Sequence, residues 1–365
     1  MTRHADVLEV LHRDQDFTIT EVNSPAINRW SGLFILGMDR GEMYDREVGA
    51  LRRAAPPEDL PRIRAFAAST AAELVDSVAP VGRIDVVADF ARVVPTRLVA
   101  DYFGVPGPDE ASMMRWMRAM FDAVFIDNGP RAAKAAELTV AEQRPYMQEL
   151  IRARRAAIDA GEAVPDDMLT RLVAMGTTQP WLDDDAVRRN INGIIVGAVD
   201  TTSKAVTHVI DELLRRPQAL EGAHHAAVAG DIDAVRGYAW EALRFLPQTS
   251  FLQRFSPRDT AVGGRKQPIR AGSVVLVAVL SAMFDEDAVP EPGRFRSDRP
   301  EDHYLHFGHG MHTCFGRAIN AVQIPEMVAA LVRLPNLRRA PGRAGTLAYD
   351  GPFPDHLVVE FGQRG

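Results

Sequence analysis

Apolar residues recur at three- and four-residue spacing through most of this chain, the period of helices that bury one face. The pattern predicts helices over LPRIRAFAASTAAELVDSV (60–78), ARVVPTRLVADYFG (91–104), RPYMQELIRARRAAIDAG (144–161) and AVRGYAWEALRFL (234–246). Gly and Pro punctuate the joints, as in GVPGPDE (104–110) and NGPRA (128–132), where the chain must turn. A longer segment, DDDAVRRNINGIIVGAVDTTSKAVTHVIDELLRRP (183–217), opens on acidic residues and closes on arginines before a proline. That polarity suits a helix dipole at both ends. Its middle is apolar on nearly all sides, which predicts one long helix through the interior.

After residue 247 the texture changes. RFSPRDTAVGGRKQPIRAGSVVLVAVL (254–280) alternates turn residues with short β-rich runs, hence a small sheet. A Pro/Asp/Arg-rich irregular stretch follows over 285–302, then a loop at 306–316, a helix over 315–335 and a strand-like tail. No repeat, low-complexity tract or linker interrupts the chain. The fold class is therefore mainly α with a small β region, in a single domain over 1–365. Its helix-rich part covers about 40–246 and its β-rich part about 247–300.

Composition narrows the class. With 365 residues, 46% hydrophobic and 25% charged, the chain has the make-up of a soluble protein with a large core. A net charge of −7 argues against a general nucleic-acid binder. The amino terminus, MTRHADVLEVLHRDQ, has no apolar signal core. The longest near-continuous apolar stretch, SVVLVAVLSAMF (273–284), is too short to span a bilayer. A single cysteine excludes an internal disulfide and fits a reducing, cytoplasmic setting.

That cysteine lies in HFGHGMHTCFG (306–316), and three readings of it compete. Cys314 could be a buried structural thiol, the usual state of a lone cysteine. His306, His309, His312 and Cys314 could form a transition-metal site, although three-residue steps align ligands only on a helix and Gly308 and Gly310 disfavour one. Cys314 could also be the axial thiolate of a haem iron. Such a sulfur needs close backbone approach, which glycine permits, and amide N–H donors from a helix start. CFGRAINAVQIPEMVAALVRLP (314–335) reads as that helix, with Pro325 expected to kink or divide it.

FGHGMHTCFG resembles the haem-binding loop of cytochrome P450 enzymes, with Phe307, Gly308, Gly310, His312, Cys314 and Gly316 at the family spacing. The resemblance covers about residues 4–362. It implies the P450 fold, a triangular helical prism with haem b between the central helix and the helix after the cysteine loop. It implies Cys314 as proximal iron ligand, Phe307 packed beside the sulfur, and His312 and Arg254 on haem propionates. GAVDTT (197–202) is similar to the family's oxygen-activation segment, with Ala198 at a position usually glycine. By resemblance Thr201 hydrogen-bonds oxygen and Asp200 relays protons, a general-acid task. E-x-x-R occurs at Glu149/Arg152, Glu212/Arg215, Glu241/Arg244 and Glu291/Arg294. Order along the chain selects Glu241 and Arg244 as the family's buried charge network, with Arg294 taken ahead of Arg299 as its third member. Ile194, Ala198, Thr249, Ser250 and Phe251 are expected to line the substrate pocket, and the 23–36 loop and 118–130 region its entrance.

Besides Ala198 and Pro325, two features depart from the family. In 37–54 the usual propionate-binding histidine is missing, with Tyr44 and Arg52 as possible substitutes. HADVLEVLHRDQDFTI (4–19) resembles a helix that normally follows a helix and two strands, so an open sheet edge is expected, covered by self-association or a partner chain. The implied function is a haem-thiolate monooxygenase, an oxidoreductase that activates O2 with electrons from a separate ferredoxin and ferredoxin reductase and oxidises a small organic molecule of secondary metabolism. The alternatives are a peroxide-using or atypical P450, from which the Asp200–Thr201 pair distinguishes it, and a catalytically silent haem-binding sensor or partner protein. No nucleic-acid or membrane partner is expected.

Overall fold

The computed structural model describes residues 1–126, 129–263 and 267–362, so parts of the predicted 118–130 and 254–280 regions lie outside the described residues. In chain order the helices are α1 (His4–His12), α2 (Thr20–Trp30), α3 (Glu42–Ala54), α4 (Leu60–Val78), α5 (Val93–Asp101), α6 (Glu110–Phe121), α7 (Pro130–Asp159) and α8 (Met168–Gly176). They continue as α9 (Asp184–Val196), α10 (Asp200–Leu214), α11 (Pro217–Ala229), α12 (Ile232–Phe245), α13 (Val279–Ala282) and α14 (Arg317–Val332). The strands are β1 (Arg83–Asp85), β2 (Leu252–Ser256), β3 (Thr260–Val262), β4 (Gln267–Ile269), β5 (Ser273–Val277), β6 (Arg338–Arg339), β7 (Ala348–Asp350), β8 (Phe353–His356) and β9 (Val358–Glu360). The chain packs as two compact units. The first comprises Met1–Phe17, Leu60–Pro95 and Thr201–Gly365; the second comprises Thr18–Asp59 and Thr96–Asp200.

The core of the first unit follows the helical periodicity. Ala67, Ala71 and Val75 of α4, Val206, Val209 and Leu213 of α10, Ala239 and Leu243 of α12, and Ile324, Met327 and Val328 of α14 are buried together. A second cluster joins Val7, Val10 and Leu11 of α1 to Val275 and Val277 of β5. β1, β9 and β6 form one antiparallel sheet in that order, while β2–β5, β3–β4 and β7–β8 are antiparallel pairs. Of the two outcomes expected at Pro325, a kink or a division, division does not occur: α14 runs through it unbroken. Pro325 is buried, so the loss of one backbone bond is offset by packing on α4 and α12. Met1 lies beside the end of β5. The Met1 amine donates to the Leu276 carbonyl at 2.7 Å, and Ala278 N–H donates to the Met1 carbonyl at 2.9 Å.

In the second unit, Asp109, Asp167 and Asp183 cap α6, α8 and α9. Each carboxylate accepts an orphan backbone N–H, from Ser112, Thr170 and Ala186. The loop expected over 23–36 is in large part helix α2; the Asp39 carboxylate accepts the Ile19 N–H at 2.7 Å at its start, and the helix buries Ile27 and Trp30. The single helix expected over 183–217 is interrupted. Gly197 and Ala198 donate to Ile194 and Ile195 in tight three-residue turns, and α10 starts afresh at Asp200. Both halves are apolar, so hydrophobicity alone does not mark the break.

α12 carries the strongest polar constraint. Glu241 and Arg244 are fully buried. Arg244 Nε donates to Glu241 Oε2 at 2.9 Å and its Nη2 donates to Oε1 at 2.8 Å. The third cation is Arg299, whose Nε donates to Oε1 at 3.1 Å. This corrects the choice of Arg294, whose side chain is 69% exposed beside Glu291 and which offers only its carbonyl to Arg299 Nη2 at 2.8 Å. Arg299 also donates to the Pro290 and Glu291 carbonyls, so each of its nitrogens is satisfied. Breaking a buried charge cluster strands the remaining charge, whereas an exposed pair contributes little. Arg299→Ala is expected to destabilise the protein by about 3–5 kcal/mol in a urea melt, and Arg294→Ala by less than about 1 kcal/mol.

Candidate haem-thiolate site

The loop before α14 is set by its backbone. Gly308 and Gly310 have φ of 71° and 74°, a left-handed region that favours glycine. At Gly310 a side chain is also excluded by contact: a Cβ there would lie 2.2 Å from the Leu11 carbonyl oxygen. Glycine is therefore required at this position by the end of α1 as well as by the backbone angle. Cys314 N–H donates to the Phe307 carbonyl at 2.9 Å, closing the loop.

The three histidines separate. His306 is buried, with its ring 5.1 Å from Trp240 and 4.6 Å from Phe307 between centroids. Burial pushes it down to about 3, helped by the Arg317 charge, so it is neutral. His309 meets His12 of α1, with the two Nε2 atoms 2.7 Å apart and the rings edge-on. Burial and the neighbouring His12 hold His309 below its ordinary value. His312 ends the short 3-10 turn Gly310–His312 and is half-buried. Among the described residues, no group of three or more His, Cys, Asp or Glu side chains is placed to hold a metal ion, which removes the histidine–cysteine cluster.

Cys314 precedes α14 by three residues and its side chain stands open to solvent-sized space. Enough protein surrounds this opening that burial pushes the thiol up, while the backbone N–H groups of Gly316 and Arg317 pull the other way. A Cβ at Gly316 would lie 3.8 Å from Sγ. An open thiol facing two amide donors at a helix start fits a soft metal ligand, because the metal's charge completes the deprotonation. Arg254 on β2 is buried and donates to the Gln253 carbonyl at 2.8 Å. Phe307 lies 5.5 Å from the Trp240 ring. Thr202 Oγ1 donates to Asn320 Oδ1 at 3.1 Å, fastening the first turn of α10 to the first turn of α14.

Asp200 is buried and its Oδ1 accepts from Arg118 Nη2 on α6 at 2.8 Å. Nothing in the sequence marked Arg118, which sits on an ordinary amphipathic helix. Ile194 and Ala198 are half-buried, whereas Thr249, Ser250 and Phe251 are exposed. Tyr44 is buried and Arg52 exposed on α3.

Residues 109–344 match the family model of cytochrome P450. The chain belongs to the cytochrome P450 family. It is 30% identical over 352 residues to the erythromycin C-12 hydroxylase of Saccharopolyspora erythraea, covering 91% of this chain and 81% of that protein. It is 28% identical over 281 residues to the mycinamicin IV hydroxylase/epoxidase of Micromonospora griseorubida, covering 76% of this chain. The match spans 66% of that relative's own length, and 65% of the cyclomarin C epoxidase of Salinispora arenicola. The crystal structure of CalO2 has the same fold, with a TM-score of 0.86 at 22% identity, covering 100% of this chain and 91% of that one. This P450 therefore has the family's mainly α fold with small sheets, and the family carries a haem iron. No helix among the described residues is long and apolar enough to cross a membrane.

A pH dependence follows from His306. Its folded value lies below that of the unfolded chain, so below about pH 6.5 the unfolded state binds the proton first. Stability is expected to be fully present above that pH and to fall by up to about 1.4 kcal/mol per pH unit towards pH 3. His306→Phe should flatten this slope in thermal melts recorded from pH 7 to about pH 4.

Proposed function

We propose that this P450 is a monooxygenase that inserts one atom of dioxygen into a small organic molecule, with electrons delivered by a separate ferredoxin and ferredoxin reductase. The observation that carries the reading is the Thr202–Asn320 bond. It ties Thr202, the residue after Thr201, to Asn320 on the helix that starts three residues after Cys314. We read the cofactor as haem b and the whole of 1–365 as one P450 domain. When bound, a thiolate-ligated haem supplies the binding and reduction of dioxygen. Cys314 would be its ligand, with Gly316 and Arg317 N–H groups tempering the sulfur's charge; Arg254 and His312 would meet its propionates, with Phe307 beside the loop.

The chain's own residues supply protons and exclude water. Thr201 keeps accessible surface at the start of α10, and its hydroxyl can hydrogen-bond oxygen. Asp200 is the adjoining acid, and Arg118 holds its carboxylate in one orientation. Held in that orientation, Asp200 can relay a proton between water and the neighbouring Thr201 hydroxyl. Ile194, Ala198, Thr249, Ser250 and Phe251 are the proposed substrate contacts. The hydroxylase and epoxidase names among the relatives support oxidation of a secondary metabolite. Arg317 is an exposed cation beside the cysteine loop, paired with Glu301 at 3.4 Å, and is proposed to help dock an acidic redox protein.

Thr201→Ala is expected to lower product formation on the order of 10²-fold. Oxygen consumption should continue and hydrogen peroxide accumulate. An oxygen electrode with a peroxide assay measures both, and unchanged coupling would remove Thr201 from the proton path. Cys314→Ala should abolish the red-shifted Soret band of the ferrous–CO complex and oxygenation together.

A further inference from the structure

α10 is buried along nearly its whole length. From Thr201 to Leu213 only Thr201 and Lys204 keep accessible surface. They are three residues apart and so share one face of the helix. Lys204 Nζ donates to the Gln248 carbonyl at 2.8 Å, immediately before the exposed Thr249–Phe251 segment. Across from it, the ring of Phe353, the first residue of β8, lies 5.7 Å from Nζ. Three separate elements thus converge on one ammonium group beside the residue proposed to serve oxygen.

Among the described residues no carboxylate lies within ion-pair distance of Lys204. The acids further along α10 are already engaged, Asp211 by Arg215 and Arg339, and Glu212 by Arg216. His208, one turn on, offers none, since Nδ1 faces the Leu246 carbonyl and Nε2 the Tyr349 hydroxyl, and burial keeps it neutral. Burial also pushes Lys204 down to about 8, which still leaves it mostly protonated at neutral pH. An ammonium has three donors, and the bond to the Gln248 carbonyl uses one. Removing such a charge from water is unfavourable unless an anion compensates it.

We propose that Lys204 is a specificity-determining residue that takes the carboxylate of an acidic, otherwise apolar substrate. A single ammonium matches a singly charged carboxylate, whereas a phosphate dianion calls for more donors than this position offers. Phe353 supplies an apolar wall beside the charge, and the Gln248 carbonyl fixes the lysine's direction. The proposal rests on the monooxygenase reading insofar as the ligand is the oxidised substrate.

The test uses the haem-loaded enzyme, its ferrous–CO spectrum recorded first so that a failure of thiolate ligation is seen separately. Decanoate, 4-phenylbutyrate and their methyl esters are titrated by calorimetry and by the optical shift of the haem. The wild type is expected to bind each acid at least about tenfold tighter than its ester. Lys204→Met should erase that preference while leaving ester affinity within about threefold, and Lys204→Arg should retain most of it. A purely structural role would lower melting temperature in Lys204→Met without changing the acid-to-ester ratio. Equal binding of acid and ester by the wild type, failure of all four probes to bind, or a preference that survives Lys204→Met overturns the assignment.

Discussion

One carboxylate organises the part of this P450 that presents its cysteine. Glu241 is wholly buried, a state that costs several kcal/mol unless every oxygen lone pair is met. Its partners come from four places along the chain: Arg244 on the same helix, the backbone N–H of Arg296, the guanidinium of Arg299 and, at 3.4 Å, the hydroxyl of Tyr304. The irregular stretch over 285–302 has no periodic pattern of its own to hold it. It is ordered by pointing donors at one acid, and it delivers Leu305 and the loop that follows. Burial beside the same carboxylate raises the Tyr304 phenol, which keeps it protonated and able to donate.

Much of this was legible in the sequence. The spacing of Phe307, Gly310, Cys314 and Gly316 identified the loop, and helical periodicity found α4 and α12 nearly to the residue. Order along the chain picked Glu241–Arg244 from four equivalent patterns. Choices between like residues in aperiodic segments were not legible. Arg294 and Arg299 lie five residues apart in the same turn-rich stretch, and local sequence does not say which one turns inward. The break at 197–199 was hidden because α9 and α10 are both apolar. Gly310 was read for its backbone freedom, and the second reason for it, the Leu11 carbonyl, exists only in three dimensions.

The same limit applies to the acid–alcohol pair. Asp200 and Thr201 are adjacent in sequence, yet their surroundings differ sharply. Asp200 is buried in an ion pair with Arg118, whereas Thr201 opens the accessible face that continues to Lys204. Neither Arg118 nor Lys204 stands out in composition or spacing, because a lone cation on a helix is ordinarily a solvated one. Their roles appear only when burial removes the water that would otherwise surround them.

Trp240 has a further consequence. It is one of four tryptophans in the chain, and it is buried with His306 and Phe307 against its ring at 5.1 and 5.5 Å. Indole emission responds to neighbouring aromatic rings and to water. In a variant that keeps Trp240 as the sole tryptophan, indole emission becomes an internal optical gauge at the root of the cysteine loop, following the seating of that segment without any added label.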